Sequence, residues 1–204
     1  QSMEESLQIL REMEQQGIPR VWLTPHIMED IPNETLALQR KFRELLQQYR
    51  GAVELKLAAE YMLDNLFEER LEKEDLLLLE EGKRFLLVET SYFNPPMDFL
   101  SVLQRIQKKG YYPLLAHPER YEYMQKEDYN TLKEEHISFQ LNLPSLAGMY
   151  GKRVQGKAEW ILRNGMYDRM GCDTHSCHRY QQMLFSSIKH NQTKLLDGVN
   201  ANTL

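Results

Sequence analysis

Several features that define other classes of protein are scarce or absent in these 204 residues. Only two cysteines occur, Cys172 and Cys177, so a disulfide framework is not the source of stability. No apolar run reaches transmembrane length and no signal peptide is visible, which predicts a cytoplasmic protein without membrane insertion. Basic residues do not outnumber acidic ones, since the formal net charge is -5. The charge balance disfavours a nucleic-acid partner.

The composition that remains is that of a globular protein. Hydrophobic residues make up 42% of the chain and charged residues 27%, enough apolar material for a buried core. The length predicts a single domain over 1–204. The sequence starts inside a predicted helix, so we expect further residues upstream of Gln1. It carries no signal that fixes an oligomeric state.

Short apolar runs alternate with amphipathic segments along most of the chain. Predicted strands or apolar runs cover 21–23, 55–59, 85–88, 114–116, 139–141 and 166–172. Predicted helices cover 2–17, 33–49, 97–109 and 154–163. Ser2 and Glu5 are expected to form a capping box at the start of the first helix, and Leu36 and Leu45 are expected on the apolar stripe of the second. This alternation predicts an α/β fold with a mainly parallel sheet, either open or closed into a barrel. In such folds catalytic groups gather at the carboxyl ends of the strands.

Acidic or imidazole side chains stand at the ends of these predicted strands. They are His26, Glu60, Glu89, His117, Asp173 and His175. Taken singly, each is more readily a surface, capping or turn residue, but the same placement over five strands favours one shared site. Imidazole and carboxylate are the usual ligands of zinc, manganese and iron. Six ligands exceed the needs of one tetrahedral ion, so we predict more than one metal, an arrangement suited to phosphoryl transfer.

Two alternative sites near the C-terminus are less well supported. Cys172 and Cys177, with His175 and His178 nearby, suggest a zinc cluster, but the C-x4-C spacing is unusual and no second cysteine pair completes it. A cysteine-dependent phosphatase needs C-x5-R with a glycine-rich loop, and neither cysteine begins one. Cys172 is instead expected inside the last strand, as a core residue.

Six segments in chain order resemble one known family. They are T-P-H at 24–26, A-E at 59–60, L-V-E at 87–89, A-H-P-E-R at 116–120, S-L-A-G-M-Y-G-K at 145–152 and D-T-H at 173–175. Together they resemble the bacterial capsule-system tyrosine phosphatases of the CpsB/CapC type, within the polymerase-and-histidinol-phosphatase (PHP) superfamily. The resemblance spans about 2–187. A-H-P-E-R and S-L-A-G-x-x-G-K are its most specific motifs.

The resemblance implies a distorted (β/α) barrel of PHP type with seven strands and up to three divalent metal ions. Glu60 would bridge two metals, and Asp173 would join it on the first. Glu89 and His117 would complete the second metal, while His26 and His175 would hold the third. The carboxylate-rich ligand set favours manganese or iron over zinc, with manganese as the first choice.

The same resemblance implies a substrate and a phosphate-binding residue. Arg120 would grip the phosphate, because its planar fork of donors matches phosphate oxygens. The substrate would be phosphotyrosine on a protein, namely the C-terminal tail of a bacterial tyrosine kinase of capsule or exopolysaccharide assembly. Two alternatives stay open: a phosphatase of a small phosphomonoester such as histidinol phosphate, and a non-catalytic scaffold that binds the kinase. A nucleic-acid enzyme is disfavoured by the acidic balance.

The sequence departs from the family pattern in two places. The family opens with an H-x-H pair on its first strand and an acidic loop that gives a further ligand, and this segment is absent here. We expect that strand to lie upstream of Gln1, because the downstream ligands are intact; without it the polypeptide would be inactive. Members also often carry a second histidine where this chain has Ile27.

Overall fold

The computed structural model describes residues 2–80, 84–186, 195–197 and 199, and leaves out the side chain of Glu80. The helices are α1 (Met3–Gln15), α2 (Thr35–Gln48), α3 (Asn65–Lys73), α4 (Phe99–Lys108), α5 (Lys126–Glu134), α6 (Leu143–Leu146), α7 (Lys152–Arg163) and α8 (Cys177–Leu184). The strands are β1 (Arg20–Leu23), β2 (His26–Ile27), β3 (Glu54–Leu57), β4 (Glu60–Met62), β5 (Leu79–Glu80), β6 (Arg84–Glu89), β7 (Tyr112–Ala116), β8 (Ser138–Asn142) and β9 (Arg169–Gly171). A 3-10 turn covers Pro118–Arg120.

The strands form two sheets. β1 pairs with β3, and the larger sheet has the order β2-β4-β6-β7-β8-β9. All of these pairs are parallel, and only the short β5 runs antiparallel, against β6. The predicted α/β class with a mainly parallel sheet is confirmed. Across the described ranges the larger sheet forms an open half-barrel with free edges at β2 and β9, rather than a closed ring.

Both faces of the central strands are covered by apolar side chains. Leu86, Val88 and Leu115 lie in the larger hydrophobic cluster, whereas Leu87 and Leu114 lie in a smaller one on the other face. Successive residues of a strand point to opposite faces, so a strand covered on both sides must be apolar at nearly every position. This explains why β6 and β7 read as unbroken apolar runs in the sequence.

The predicted strand over 55–59 is two strands. β3 ends at Leu57 and β4 begins at Glu60, because the chain changes its pairing partner at Ala58 and Ala59. The Ala58 N–H donates to Leu23 in β1, whereas the Glu60 N–H donates to Pro25 just before β2. The expectation that Glu60 and His26 follow strand ends is therefore wrong: Glu60 opens β4 and His26 opens β2.

The last predicted strand is shorter than expected. β9 covers Arg169–Gly171, and Cys172 follows it instead of lying inside it. Of the capping box predicted for the first helix, the Ser2 half is confirmed, since the Ser2 hydroxyl accepts a hydrogen bond from the Glu5 N–H at 3.1 Å. The Glu5 carboxylate accepts instead from the Cys177 N–H at 3.2 Å. Over the described part of the chain, no helix combines the length and apolar character needed to cross a bilayer.

Candidate metal centre

Strand register places three of the predicted ligands on one face of the sheet. His26 is the register partner of Glu60 across β2 and β4, so their side chains project to the same side. Glu89 is the partner of Met62, which is two residues from Glu60 and therefore on the same face. The alternation of strand side chains thus brings an imidazole and two carboxylates together from three neighbouring strands.

The other predicted ligands follow strands that end in left-handed turns. His117 comes directly after β7 with φ 35° and ψ 53°, and Asp173 comes two residues after β9 with φ 44°. Non-glycine residues adopt this conformation at a cost of about 1–3 kcal/mol. Pro118 then fixes the start of the 3-10 turn that carries Arg120 back over the site. The first turn directs His117 toward the carboxylates of β4 and β6, and the second directs Asp173 toward His26 and His175.

The inner part of the site alternates carboxylates with imidazoles. His117 Nε2 lies 3.2 Å from Glu60 Oε1 and 3.5 Å from Glu89 Oε2. His26 Nδ1 lies 3.1 Å from Glu89 Oε1 and 3.5 Å from Glu60 Oε2. Glu60 and Glu89 are only 4% and 3% exposed. Two buried carboxylates side by side are strongly unfavourable unless cations or donors surround them.

The outer part of the site opens toward solvent. His26 Nε2 lies 2.9 Å from His175 Nε2, and their rings stack with centroids 5.2 Å apart. His175 Nδ1 lies 3.0 Å from the Asp173 backbone oxygen, and the Asp173 carboxylate accepts a hydrogen bond from Arg120 Nη1 at 2.6 Å. The His175 side chain is 56% exposed. The six predicted ligands and Arg120 therefore form one continuous cluster; their roles as ligands stay a prediction.

The pKa shifts of the buried groups indicate a strongly negative local potential. Burial opposes ionisation of Glu89, but the adjacent imidazoles of His117 and His26 outweigh it and lower its pKa. Burial likewise opposes the charged form of His117, yet hydrogen bonds to Glu60 and Glu89 raise its pKa. The nearby carboxylate of Glu89, with that of Glu60, raises the pKa of His26. Protons on these imidazoles occupy the place that a cation would take beside the carboxylates.

The donor set fits divalent metal ions. Ligand atoms lie within 4.8 Å of one another in two groups that share His26, one with Glu60 and Glu89 and one with Asp173 and His175. The resemblance instead pairs Asp173 with Glu60 on the first metal. With neutral imidazoles, three carboxylates face a single guanidinium, which leaves a surplus of negative charge that cations would neutralise. Nδ1 of His117 is buried and makes no hydrogen bond among the described residues.

Sequence reasoning missed two tyrosines that enclose Arg120. The Arg120 Cζ atom lies 4.5 Å from the ring centroid of Tyr92 and 4.4 Å from that of Tyr150. Tyr92 follows β6, two residues after Thr90, and Tyr150 lies inside the S-L-A-G-M-Y-G-K motif. The motif was a usable signal for Tyr150, whereas Tyr92 had no signal beyond its position after a strand end.

A buried carboxylate next to the cluster was also missed. Glu119 is 1% exposed and accepts hydrogen bonds from the Asn142 N–H at 3.0 Å and the Tyr167 hydroxyl at 2.9 Å. Asn142 Nδ2 in turn lies 3.4 Å from Asp173 Oδ2. Burial raises the pKa of Glu119. Glu119 therefore links the turn after β7 to the end of β8 and to the segment that precedes β9, and it belongs to neither possible metal group among the described residues.

The two cysteines take no part in the site. Both are free; Cys172 is half-buried, and removal of its thiol from water raises the pKa of that thiol. The Cys177 Sγ donates to Glu12 Oε1 at 3.3 Å, and burial together with this glutamate raises its pKa as well. Neither possible metal group among the described residues includes a cysteine. The geometry thus gives no support to the zinc-cluster alternative.

The fold and the cluster define the class of this chain: an α/β protein that gathers potential metal ligands at the rim of a parallel half-barrel. A family model described as "Capsular polysaccharide synthesis, CpsB/CapC" matches residues 1–200. The chain belongs to the CpsB/CapC family, and the resemblance read from its motifs is confirmed.

Two curated relatives and one solved structure are similar to this chain. The tyrosine-protein phosphatase YwqE of Bacillus subtilis (strain 168) is 25% identical over 179 residues, covering 84% of this chain and 70% of YwqE. The tyrosine-protein phosphatase CpsB of Streptococcus pneumoniae is 26% identical over 192 residues, covering 86% of this chain and 76% of CpsB. A crystal structure from work on YwqE and CpsB, described as unique metal-dependent tyrosine phosphatases, matches with a TM-score of 0.79. The two sequences are 22% identical, and the match covers 97% of this chain and 88% of the chain in that crystal structure, which establishes the fold.

Proposed function

We propose that this chain is a metal-dependent protein-tyrosine phosphatase of capsular polysaccharide synthesis. The observation that carries the proposal is the placement of the Arg120 guanidinium at the open side of a buried cluster of carboxylates and imidazoles. A guanidinium group held beside a cation-binding site is suited to bind a phosphate ester. The related phosphatases named above support an aryl phosphate on a protein as the substrate.

Arg120 would bind the phosphate through the donor that now faces Asp173. Its Nη1 lies 2.6 Å from Asp173 Oδ2, so phosphate binding would exchange one oxyanion partner for another. Asp173 would then be free to turn toward His26 and His175, with which its ligand atoms already group. The guanidinium would also stabilise charge on the phosphate oxygens in the transition state.

His26, Glu60, Glu89, His117, Asp173 and His175 would hold the metal ions. When bound, the ions supply positive charge to the phosphate oxygens and to the attacking water. No side-chain nucleophile is needed, in keeping with the raised pKa of both cysteine thiols. The exposed side of the site, formed by His175, leaves room for a residue on a flexible protein tail.

The finer assignments are part of the same proposal. Manganese is the preferred ion on ligand chemistry, with iron or zinc as alternatives. The phosphotyrosine would belong to the C-terminal tail of a tyrosine kinase of capsule assembly. A cytoplasmic reaction fits the two free cysteines, since reduced thiols persist there. We take 1–204 as one domain.

The test compares substrates and an arginine variant in the full-length protein loaded with manganese. We expect hydrolysis of a phosphotyrosine peptide with kcat/KM well above that for a phosphoserine peptide or histidinol phosphate. Arg120→Ala should lower kcat/KM for the phosphotyrosine peptide about 10²–10³-fold, the usual loss for one transition-state donor. Arg163→Ala is the matched control, because Arg163 pairs with Glu159 on the surface of α7.

Three results would contradict the proposal. Histidinol phosphate as the better substrate would favour the small-phosphomonoester alternative. Binding of a phosphotyrosine peptide without hydrolysis would favour the scaffold alternative. Full activity of Arg120→Ala would remove Arg120 from the site.

A further inference from the structure

The structure assigns Tyr92 and Tyr150 as positioning residues that hold the guanidinium plane of Arg120 edge-on to the phosphate site. This inference rests on the proposed function and goes beyond it, because neither tyrosine is a ligand or contacts the reacting atoms in the scheme above. Its basis is a pair of ring contacts, hereafter called the sandwich: the guanidinium carbon lies 4.5 Å from the Tyr92 ring centroid and 4.4 Å from the Tyr150 ring centroid.

A guanidinium enclosed in this way has limited freedom. The faces of the group are apolar in character and stack on rings, whereas all five N–H donors lie in its plane. Two rings close to the guanidinium carbon therefore restrict rotation about the end of the side chain. The remaining open direction is the edge, which now meets Asp173 at 2.6 Å. The sandwich thus aims donors at the site before any substrate binds.

The ring on one side is built into the framework of the site. Tyr92 stacks on Tyr121 with centroids 6.2 Å apart, and its ring lies 5.7 Å from that of His117. The Tyr121 hydroxyl donates to the Ala116 carbonyl and accepts from the Thr90 N–H, the residues that adjoin His117 and Glu89. Tyr92 is therefore held in place by contacts with the same strand ends that carry the predicted ligands.

The ring on the other side is presented by a tight turn. Gly148 and Gly151 have φ of 78° and 88°, values that residues with a side chain rarely adopt. The Gly151 N–H donates a hydrogen bond to the Gly148 carbonyl at 3.0 Å. Tyr150 lies between them and reaches Arg120. The two glycines of the S-L-A-G-x-x-G-K motif are thus explained by a turn that places an aromatic ring.

The experiment is a double-mutant cycle in the full-length, manganese-loaded protein with a phosphotyrosine peptide. Tyr150→Leu should lower kcat/KM about tenfold, of the order expected for a desolvated cation–ring contact. Tyr150→Phe should restore most of it, because the ring and not the hydroxyl is used. In the Arg120→Ala background, Tyr150→Leu should have no further effect. Tyr112→Leu, at the far end of β7, is the control for loss of a tyrosine.

A second readout is independent of turnover and of metal. Arg120 should react slowly with phenylglyoxal in the metal-free protein, and several-fold faster in Tyr150→Leu but not in Tyr150→Phe, as followed by peptide mass spectrometry. Equal labelling rates in the three proteins, or additive losses in the cycle, would overturn the inference while leaving a working phosphatase. A wild-type protein without hydrolysis would overturn the proposed function, and the labelling rates would still decide on the sandwich.

Discussion

The guanidinium of Arg70 shows how a single buried charge is accommodated away from the site. It is 5% exposed, and Nη1 donates to Asp75 Oδ2 at 2.6 Å while Nη2 donates to the Asn33 carbonyl at 2.9 Å. Arg70 belongs to α3, so the bond to Asn33 connects that helix to the segment that leads into α2, and the bond to Asp75 holds the turn that follows α3. Glu34 Oε2 lies 3.4 Å from Nη2, so removing the Asp75 charge leaves the buried guanidinium with one exposed carboxylate partner.

We expect Asp75→Asn to lower the free energy of unfolding by about 1–3 kcal/mol, the range for a charged hydrogen bond. The matched control lies in α3, the helix that carries Arg70. Glu69→Gln breaks the ion pair between Glu69 and Lys73, whose side chains are 66% and 70% exposed, respectively. That change should stay below about 0.5 kcal/mol. Urea unfolding of both variants gives the comparison, and equal losses would contradict it.

At the same scale, the sequence predicted the acidic and imidazole residues of the site but not its aromatic residues. His26, Glu60, Glu89, His117, Asp173 and His175 are polar groups that recur after or at apolar runs, a pattern visible in one dimension. Tyr92 and Tyr150 act through ring contacts between distant segments, and tyrosine is as common in cores as in sites. Only the fold reveals which rings meet Arg120.

Helix α3 illustrates an element that depends on its cap. Asp64 is the N-cap: its Oδ1 accepts from the Phe67 N–H at 2.9 Å, and its Oδ2 accepts from the Glu29 N–H at 2.8 Å. The same carboxylate therefore starts the helix and holds the loop that follows β2. That loop lies next to His26, so the cap also steadies one side of the candidate site.

Asp64→Ala should lower the free energy of unfolding by about 1–2 kcal/mol, because two backbone donors lose their partner. Asp64→Asn keeps an acceptor and should recover much of the loss. Gln47→Ala, an exposed change in α2, is the control. Chemical unfolding followed by circular dichroism measures all three, and a loss as large in Asn as in Ala would argue against the cap.

Elements with strong apolar periodicity were predictable, and those defined by charge or tertiary context were not. α1, α4, α7 and the strands β6 to β8 were found close to their observed bounds. α3, α5 and α8 are short and rich in charged or polar residues, and sequence reasoning left them out. In α2 the helix was found but Leu36 was placed on its buried face, whereas it is 72% exposed and Leu38 is buried instead.

For the whole molecule, the concentration of negative charge at the rim links stability to metal binding. Glu60 and Glu89 are buried side by side, and any ion that binds the folded chain and not the unfolded one adds stability by mass action. The six proposed ligands come from the ends or starts of strands spread from β2 to β9. Ions bound there would connect strands that are far apart in the sequence.

Adding manganese to the metal-free, full-length protein should therefore raise its Tm. At a free concentration near 100 times Kd, the gain is about 2.7 kcal/mol per site. Glu89→Gln should lose most of the shift, whereas the surface variant Glu69→Gln should keep it. Thermal unfolding with and without a chelator measures the effect, and an identical Tm in both conditions would speak against the centre.

The left-handed backbone at His117 and Asp173 has a consequence for how such a protein can change over time. Glycine would relax both turns. A homologue that no longer needed this site would therefore gain stability by replacing both residues with glycine. The metal-binding roles proposed for the His117 imidazole and the Asp173 carboxylate would favour keeping both residues despite the strain of their turns. Drift at these bends would therefore be an early sign of a protein that has kept its shape and abandoned its reaction.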